Sequence, residues 1–121
     1  MHRLHVPWGR IAITALLTGT MLVGQKAPAV VAATSTVSII EPTDNENDYA
    51  FEQPSITVAA GDTVTWLNSG LEIHTVTADA AAFDSKDIDA GKSWSYTFAS
   101  PGVYTYYCDP HPWMTGTVIV Q

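Results

Sequence analysis

Between Ser55 and Val120 the chain repeats one pattern, a short run of β-branched and aromatic residues followed by a tight turn. The runs are SITVAA, DTVTWLN, HTVTA, SWSYTF, VYTYYC and TGTVIV, and AAGD, NSGLE, DAGK and SPGV lie between them. Val, Ile, Thr, Tyr and Trp suit a pleated surface, and runs this short with Gly and Pro punctuation are strands rather than helices. Several alternate with period two, so Val64 and Trp66 share one face while Thr63 and Thr65 take the other. TVSII at 36–40 has the same character, and DAAAF at 79–83 has the composition of a single helical turn. The expected fold is all-β, a small antiparallel sandwich or barrel in one domain without internal repeats.

The N-terminus has a different composition. Arg3 and Arg10 give a positive segment ahead of an apolar core, IAITALLTGTMLVG, and APAVVAAT supplies small residues after it. This reads as an export leader over residues 1–33, cut between Ala33 and Thr34. An uncleaved membrane anchor is the alternative, because the apolar run lengthens if residues 27–33 are counted. Removing the leader takes away Arg3, Arg10 and Lys26. Lys86 and Lys92 then face all twelve acids, and the formal charge moves from −7 to −10. Phosphate-bearing partners would be repelled, which excludes nucleic acid. Five of the acids, Glu41, Asp44, Glu46, Asp48 and Glu52, crowd into EPTDNENDYAFEQP. That stretch reads as a solvated loop, or else as a docking patch for a cationic partner.

After residue 33 the chain has one cysteine (Cys108), two histidines (His74, His111) and one methionine (Met114). A lone thiol outside the cytoplasm is exposed to oxidation unless it is buried, paired between chains or held on a metal. The alternation in VYTYYC puts Tyr104, Tyr106 and Cys108 on one face and Thr105 and Tyr107 on the other. Pro110 and Pro112 then stop the strand, and the stiff loop they form carries His111 and Met114. Thiolate, thioether and imidazole together suit copper in both its monovalent and divalent states, and two histidines, one cysteine and a weak axial methionine form the trigonal electron-transfer site. Zinc fits less well, since it favours Cys and His without methionine and often uses CxxC pairs. An oxidase or reductase would need further copper with an open position, hence further histidines, and a dinuclear copper centre would need a second cysteine.

The motifs resemble those of the small type 1, or blue, copper proteins, the cupredoxins of the plastocyanin and amicyanin type. GDTVTWLN, the histidine after it, FDS, the SYTF and PGVYTYYC strand pair, and CDPHPWM followed by TGTVIV carry the likeness across residues 34–121. The two-residue gaps in Cys-x2-His-x2-Met are of the amicyanin type. The resemblance implies a Greek-key β-sandwich of about eight strands. It also implies one copper per chain, held by His74, Cys108 and His111 in a plane and capped by Met114. The implied function is electron transfer between transient redox partners by an exported, monomeric protein that is not an enzyme. An extracytoplasmic copper carrier or store is the alternative. In the resemblance the His111 ring edge is the electron's door. Tyr107, adjoining Cys108 on the outward face, is either an ordinary exposed strand tyrosine or a second route. Three positions depart from the family pattern. Ile73 stands where proline is common, Asp109 follows the cysteine in place of serine or threonine, and Thr75 replaces the asparagine that ties the two ligand loops together. The hydroxyl of Thr75 is expected to take over part of that tie.

Overall fold

The computed structural model describes residues 31–121 together with Gly19 and Gly24, so the leader expected over 1–33 lies almost wholly outside the described residues. Eight strands follow in order: β1 (Thr34–Ile40), β2 (Ala50–Phe51), β3 (Ser55–Val58), β4 (Thr63–Asn68), β5 (Thr77–Ala78), β6 (Ser93–Thr97), β7 (Gly102–Tyr107) and β8 (Thr115–Val120). They form two four-stranded sheets, β2-β1-β4-β6 and β3-β8-β7-β5. The eight-stranded sandwich is as expected, but its sheets are mixed and not purely antiparallel: β1 runs parallel to β4 and β3 parallel to β8. Both parallel pairs join strands far apart in sequence, as they must, because a tight hairpin can join only antiparallel neighbours. Among the described residues no helix is long and apolar enough to cross a membrane.

The inner faces follow the period-two reading. Val37 and Ile39 of β1, Val64 and Trp66 of β4, Tyr106 of β7, and Val118 and Val120 of β8 are buried. Trp66 is the centre of the core, with Phe83, Trp94, Phe98 and Tyr106 around its ring at centroid distances of 5.4–6.5 Å. Its indole N–H donates to the Tyr106 hydroxyl at 3.1 Å and joins the two sheets. Burial pushes the Tyr106 phenol up to about 12, so it stays neutral and able to accept that bond. Gly116, opposite Tyr106 on β8, makes room for this ring, since a Cβ there would collide with it.

Three local readings are corrected. HTVTA forms a strand only at Thr77–Ala78. The Thr75 and Val76 N–H groups go to Cys108 Sγ and Ser85 Oγ, so no ladder forms before Thr77, while His74 makes an isolated bridge to Ile88. DAAAF is a turn with Ala81 at φ 58°, not a helical turn. The acidic stretch is more ordered than a plain loop, with a 3-10 turn over Glu46–Asp48 and the short β2 pairing Ile39 and Ile40 of β1 with Phe51 and Ala50.

Candidate metal centre

The site forms where the β7–β8 connection meets the segment that follows β4. The ladder continues one step past Tyr107↔Thr115, with the Cys108 N–H donating to the Met114 carbonyl at 3.1 Å. Residues 109–113 are thereby closed into a short loop, and the Met114 N–H turns back to the His111 carbonyl at 2.9 Å. Pro110 and Pro112 limit the backbone freedom of this loop. The alternation in β7 carries Cys108 inward with no exposed surface and leaves Tyr107 half-buried. Met114 is buried and His111 is 7% exposed.

His74 arrives on a separately built loop. Asn68, the last residue of β4, is fully buried; its side-chain N–H groups donate to the Glu72 and Ile88 carbonyls at 2.7 and 2.8 Å, and its carbonyl accepts from Gly70 N–H. Glu41, just past the end of β1, reaches the same loop. Its carboxylate accepts the Leu71 and Glu72 N–H groups and the His74 Nε2–H, all at 2.8 Å. Burial alone would raise the Glu41 carboxyl, but the bonds from Leu71, His74 and Glu72 outweigh it and hold the pKa below the usual carboxylate value. Burial pulls His74 below the ordinary imidazole value despite the Glu41 bond, with His111 acting in the same direction as burial. The pair is therefore a carboxylate with a neutral imidazole, whose Nε2 carries the proton and whose Nδ1 lone pair faces inward.

The inward faces converge. Cys108 Sγ lies 3.6 Å from His74 Nδ1 and 3.6 Å from His111 Nδ1. All three atoms fall within 4.8 Å of one another, and all three residues are buried. One thiol proton serves only one imidazole at a time, whereas a single cation serves both. A nitrogen bond of about 2.0 Å and a sulfur bond of about 2.3 Å to one first-row ion span about 3.5–3.7 Å between tetrahedral and trigonal angles, so the spacing fits. Burial pushes the Cys108 thiol up, against hydrogen bonds from Thr75 and the His111 backbone that favour the thiolate. A bound cation supplies the positive charge that reverses this.

Of the residues expected from sequence, His74, Cys108 and His111 are brought together as one site. Met114 is buried and its backbone bonds to both Cys108 and His111. Thr75 ties the two loops as expected, its N–H donating to Cys108 Sγ at 3.4 Å and its hydroxyl accepting the Asp109 N–H at 2.8 Å. Glu41 is corrected, since it belongs to the His74 loop and not to the solvated acidic run. Asn68 and Tyr49 were not singled out from sequence. Tyr49 is buried and packs edge-on against both imidazoles, at 5.8 Å from His74 and 5.3 Å from His111. For Asn68 the available signal was a polar residue at an inward position of an alternating strand. Tyr49 offered none beyond its aromatic ring in an acidic stretch.

Residues 39–121 match the family model of copper-binding proteins, plastocyanin/azurin family. The chain is 31% identical to amicyanin-alpha of Methylorubrum extorquens over 115 residues, covering 91% of this chain and 88% of that one. It is 32% identical to the plastocyanin of Prochlorothrix hollandica over 124 residues, covering 92% and 89%. A solved amicyanin variant in its Cu(I) form superposes with a TM-score of 0.64 at 31% identity, over 77% of this chain and 87% of the other. With the fold, the site and the sequence in agreement, this chain belongs to the plastocyanin/azurin family of copper-binding proteins.

Proposed function

We propose that the protein carries single electrons between redox proteins outside the cytoplasm, with one copper ion held by His74, Cys108, His111 and, weakly, Met114. The observation that carries this is the buried convergence of one sulfur and two Nδ1 atoms at equal distances in a copper-binding fold. When bound, copper supplies the one-electron couple between its monovalent and divalent states. The chain's own part is to hold the donors still. His74 is fixed by Glu41, Cys108 by the Thr75 N–H and the β7–β8 ladder, and His111 between Tyr49 and Trp113. Donors held this way need little rearrangement when the charge changes, which keeps the barrier to electron gain and loss small. Four donors leave no open position for a substrate, as befits a carrier and not an enzyme.

The burial of Met114 and its backbone bonds to both loop ligands, Cys108 and His111, support its role as the weak axial donor. Trp113, Ile73 and Leu71 are exposed apolar residues on the two ligand loops, which supports docking of a redox partner near His111. Residues 1–33 act as the export leader in this reading, and a cut after Ala33 would remove the bonds that Ala33 makes with Asp62 and Thr63 at the start of β4. The intact mass of the exported protein checks the cut.

The test is absorption and voltammetry of the purified protein. An intense thiolate-to-copper band in the Cu(II) form with a reversible one-electron wave is expected. A colourless protein that takes up only Cu(I) would identify a copper store instead.

A further inference from the structure

We propose that Glu41 is a positioning residue of the copper centre: it locks the tautomer and orientation of His74, and its negative charge favours Cu(II) over Cu(I). The inference rests on His74 being a copper ligand. Glu41 is 33 residues away from His74 in sequence and belongs to no ligand motif. Its carboxylate is nonetheless almost fully shielded, at 9% side-chain exposure, and all three of its acceptor contacts are on the His74 loop. Two N–H groups of that loop and the imidazole N–H converge on two oxygens, so the loop backbone and the ring are set by one group.

Gly70 gives an independent sign of this arrangement. Its backbone does not lie in the left-handed region, so no turn geometry requires glycine there. A Cβ at this position would collide with the Glu41 carboxyl. The glycine is explained by the close approach of the carboxylate.

A carboxylate on the remote nitrogen of a metal-bound imidazole fixes the tautomer and raises the basicity of the ligating nitrogen, and losing such a partner costs about 10–100-fold in metal affinity. Since a more basic, more negatively charged donor favours the higher charge state, the loss falls more heavily on Cu(II). Glutamine at position 41 keeps the shape, removes the charge and offers only one acceptor oxygen to three donors.

The test has two arms. In the metal-free wild-type protein, nitrogen-15 NMR should show His74 locked as the Nε2–H tautomer; an Nδ1–H tautomer, or rapid averaging of the two, overturns the proposal. This arm needs no copper, so it stands apart from any failure of the metal assignment. In the copper-loaded protein, Glu41→Gln should lower the Cu(II)/Cu(I) affinity ratio at least about tenfold, read as a rise of about 59 mV for a one-electron couple. Gly70→Ala, which keeps the carboxylate but displaces it from the loop, should shift the potential in the same direction and serves if Glu41→Gln does not fold. A folded variant with reduced thermal stability and an unchanged potential would make Glu41 merely structural and overturn the proposal.

Discussion

β1 and β4 run side by side in the same direction for about 20 Å, and a carboxylate holds each end of the pair. At the start, Asp62 accepts the Ala33 and Ala59 N–H groups at 2.9 Å. At the finish, Glu41 accepts the Leu71 and Glu72 N–H groups at 2.8 Å. Both carboxyls sit below their ordinary pKa. For Asp62 the backbone N–H bonds lead and outweigh a smaller effect of burial. For Glu41 burial is the largest influence, and three hydrogen bonds together overcome it. The two ends use the same device, but only the Glu41 end adds a third donor, and that donor is a ligand histidine. A carboxylate that at one end ties only backbone N–H groups is placed at the other to act on a metal ligand as well.

The contrast predicts that substitutions at the Glu41 end change both stability and the metal site, while those at the Asp62 end change stability alone. Asn68→Ala has the largest expected effect. It leaves the Glu72 carbonyl and the Gly70 N–H without their Asn68 partner and takes one of two bonds from the Ile88 carbonyl, and should cost about 1–3 kcal/mol while loosening His74. Thermal melts should fall steeply and copper affinity with them; a melt within a degree or two of wild type would show that the loop does not depend on Asn68. Met114→Gln comes next. It should keep copper and the fold but lower the reduction potential, because a stronger axial donor favours Cu(II). An unchanged or higher potential would remove Met114 from the site.

A smaller effect is expected from Asp44→Asn with Asp48→Asn, two exposed acids away from the ligands. Electron transfer with a cationic partner should slow at low salt, and the difference should fade as salt screens the charges. Equal rates at every ionic strength would reduce the acidic stretch to a solubility role. Asp62→Asn should have the least effect. Because its folded pKa is depressed, its contribution is fully present above the ordinary carboxylate value near 3.8 and is lost as pH falls through the folded value. In a chain that retains Ala33, the variant should therefore flatten the acid limb of the stability curve and leave the potential untouched. A shifted potential would erase the distinction between the two ends.

The sandwich and most of the ligand set were legible in the sequence because they are local. Period-two alternation placed Trp66, Tyr106 and Cys108 inward, and Cys108, His111 and Met114 share one short loop. What was hidden depends on register between distant strands. Glu41 carries no mark that separates it from Asp44, Glu46, Asp48 or Glu52. Only the parallel β1–β4 pairing, with Ile39 opposite Asn68, brings it to the His74 loop. Gly70 read as an ordinary turn glycine, and its real cause lies 29 residues earlier in the chain. The shortened β5 was misread because HTVTA has strand composition, while its N–H groups are diverted to Cys108 and Ser85 side chains. Thr75 was legible from the resemblance, since a hydroxyl can accept the bond that joins the loops.

The most direct measurement is an anomalous difference map at the copper edge from crystals of the copper-loaded protein. One peak per chain, within bonding distance of His74 Nδ1, Cys108 Sγ and His111 Nδ1, is predicted. A peak elsewhere, or none at those three atoms in protein that has taken up copper, would contradict the account.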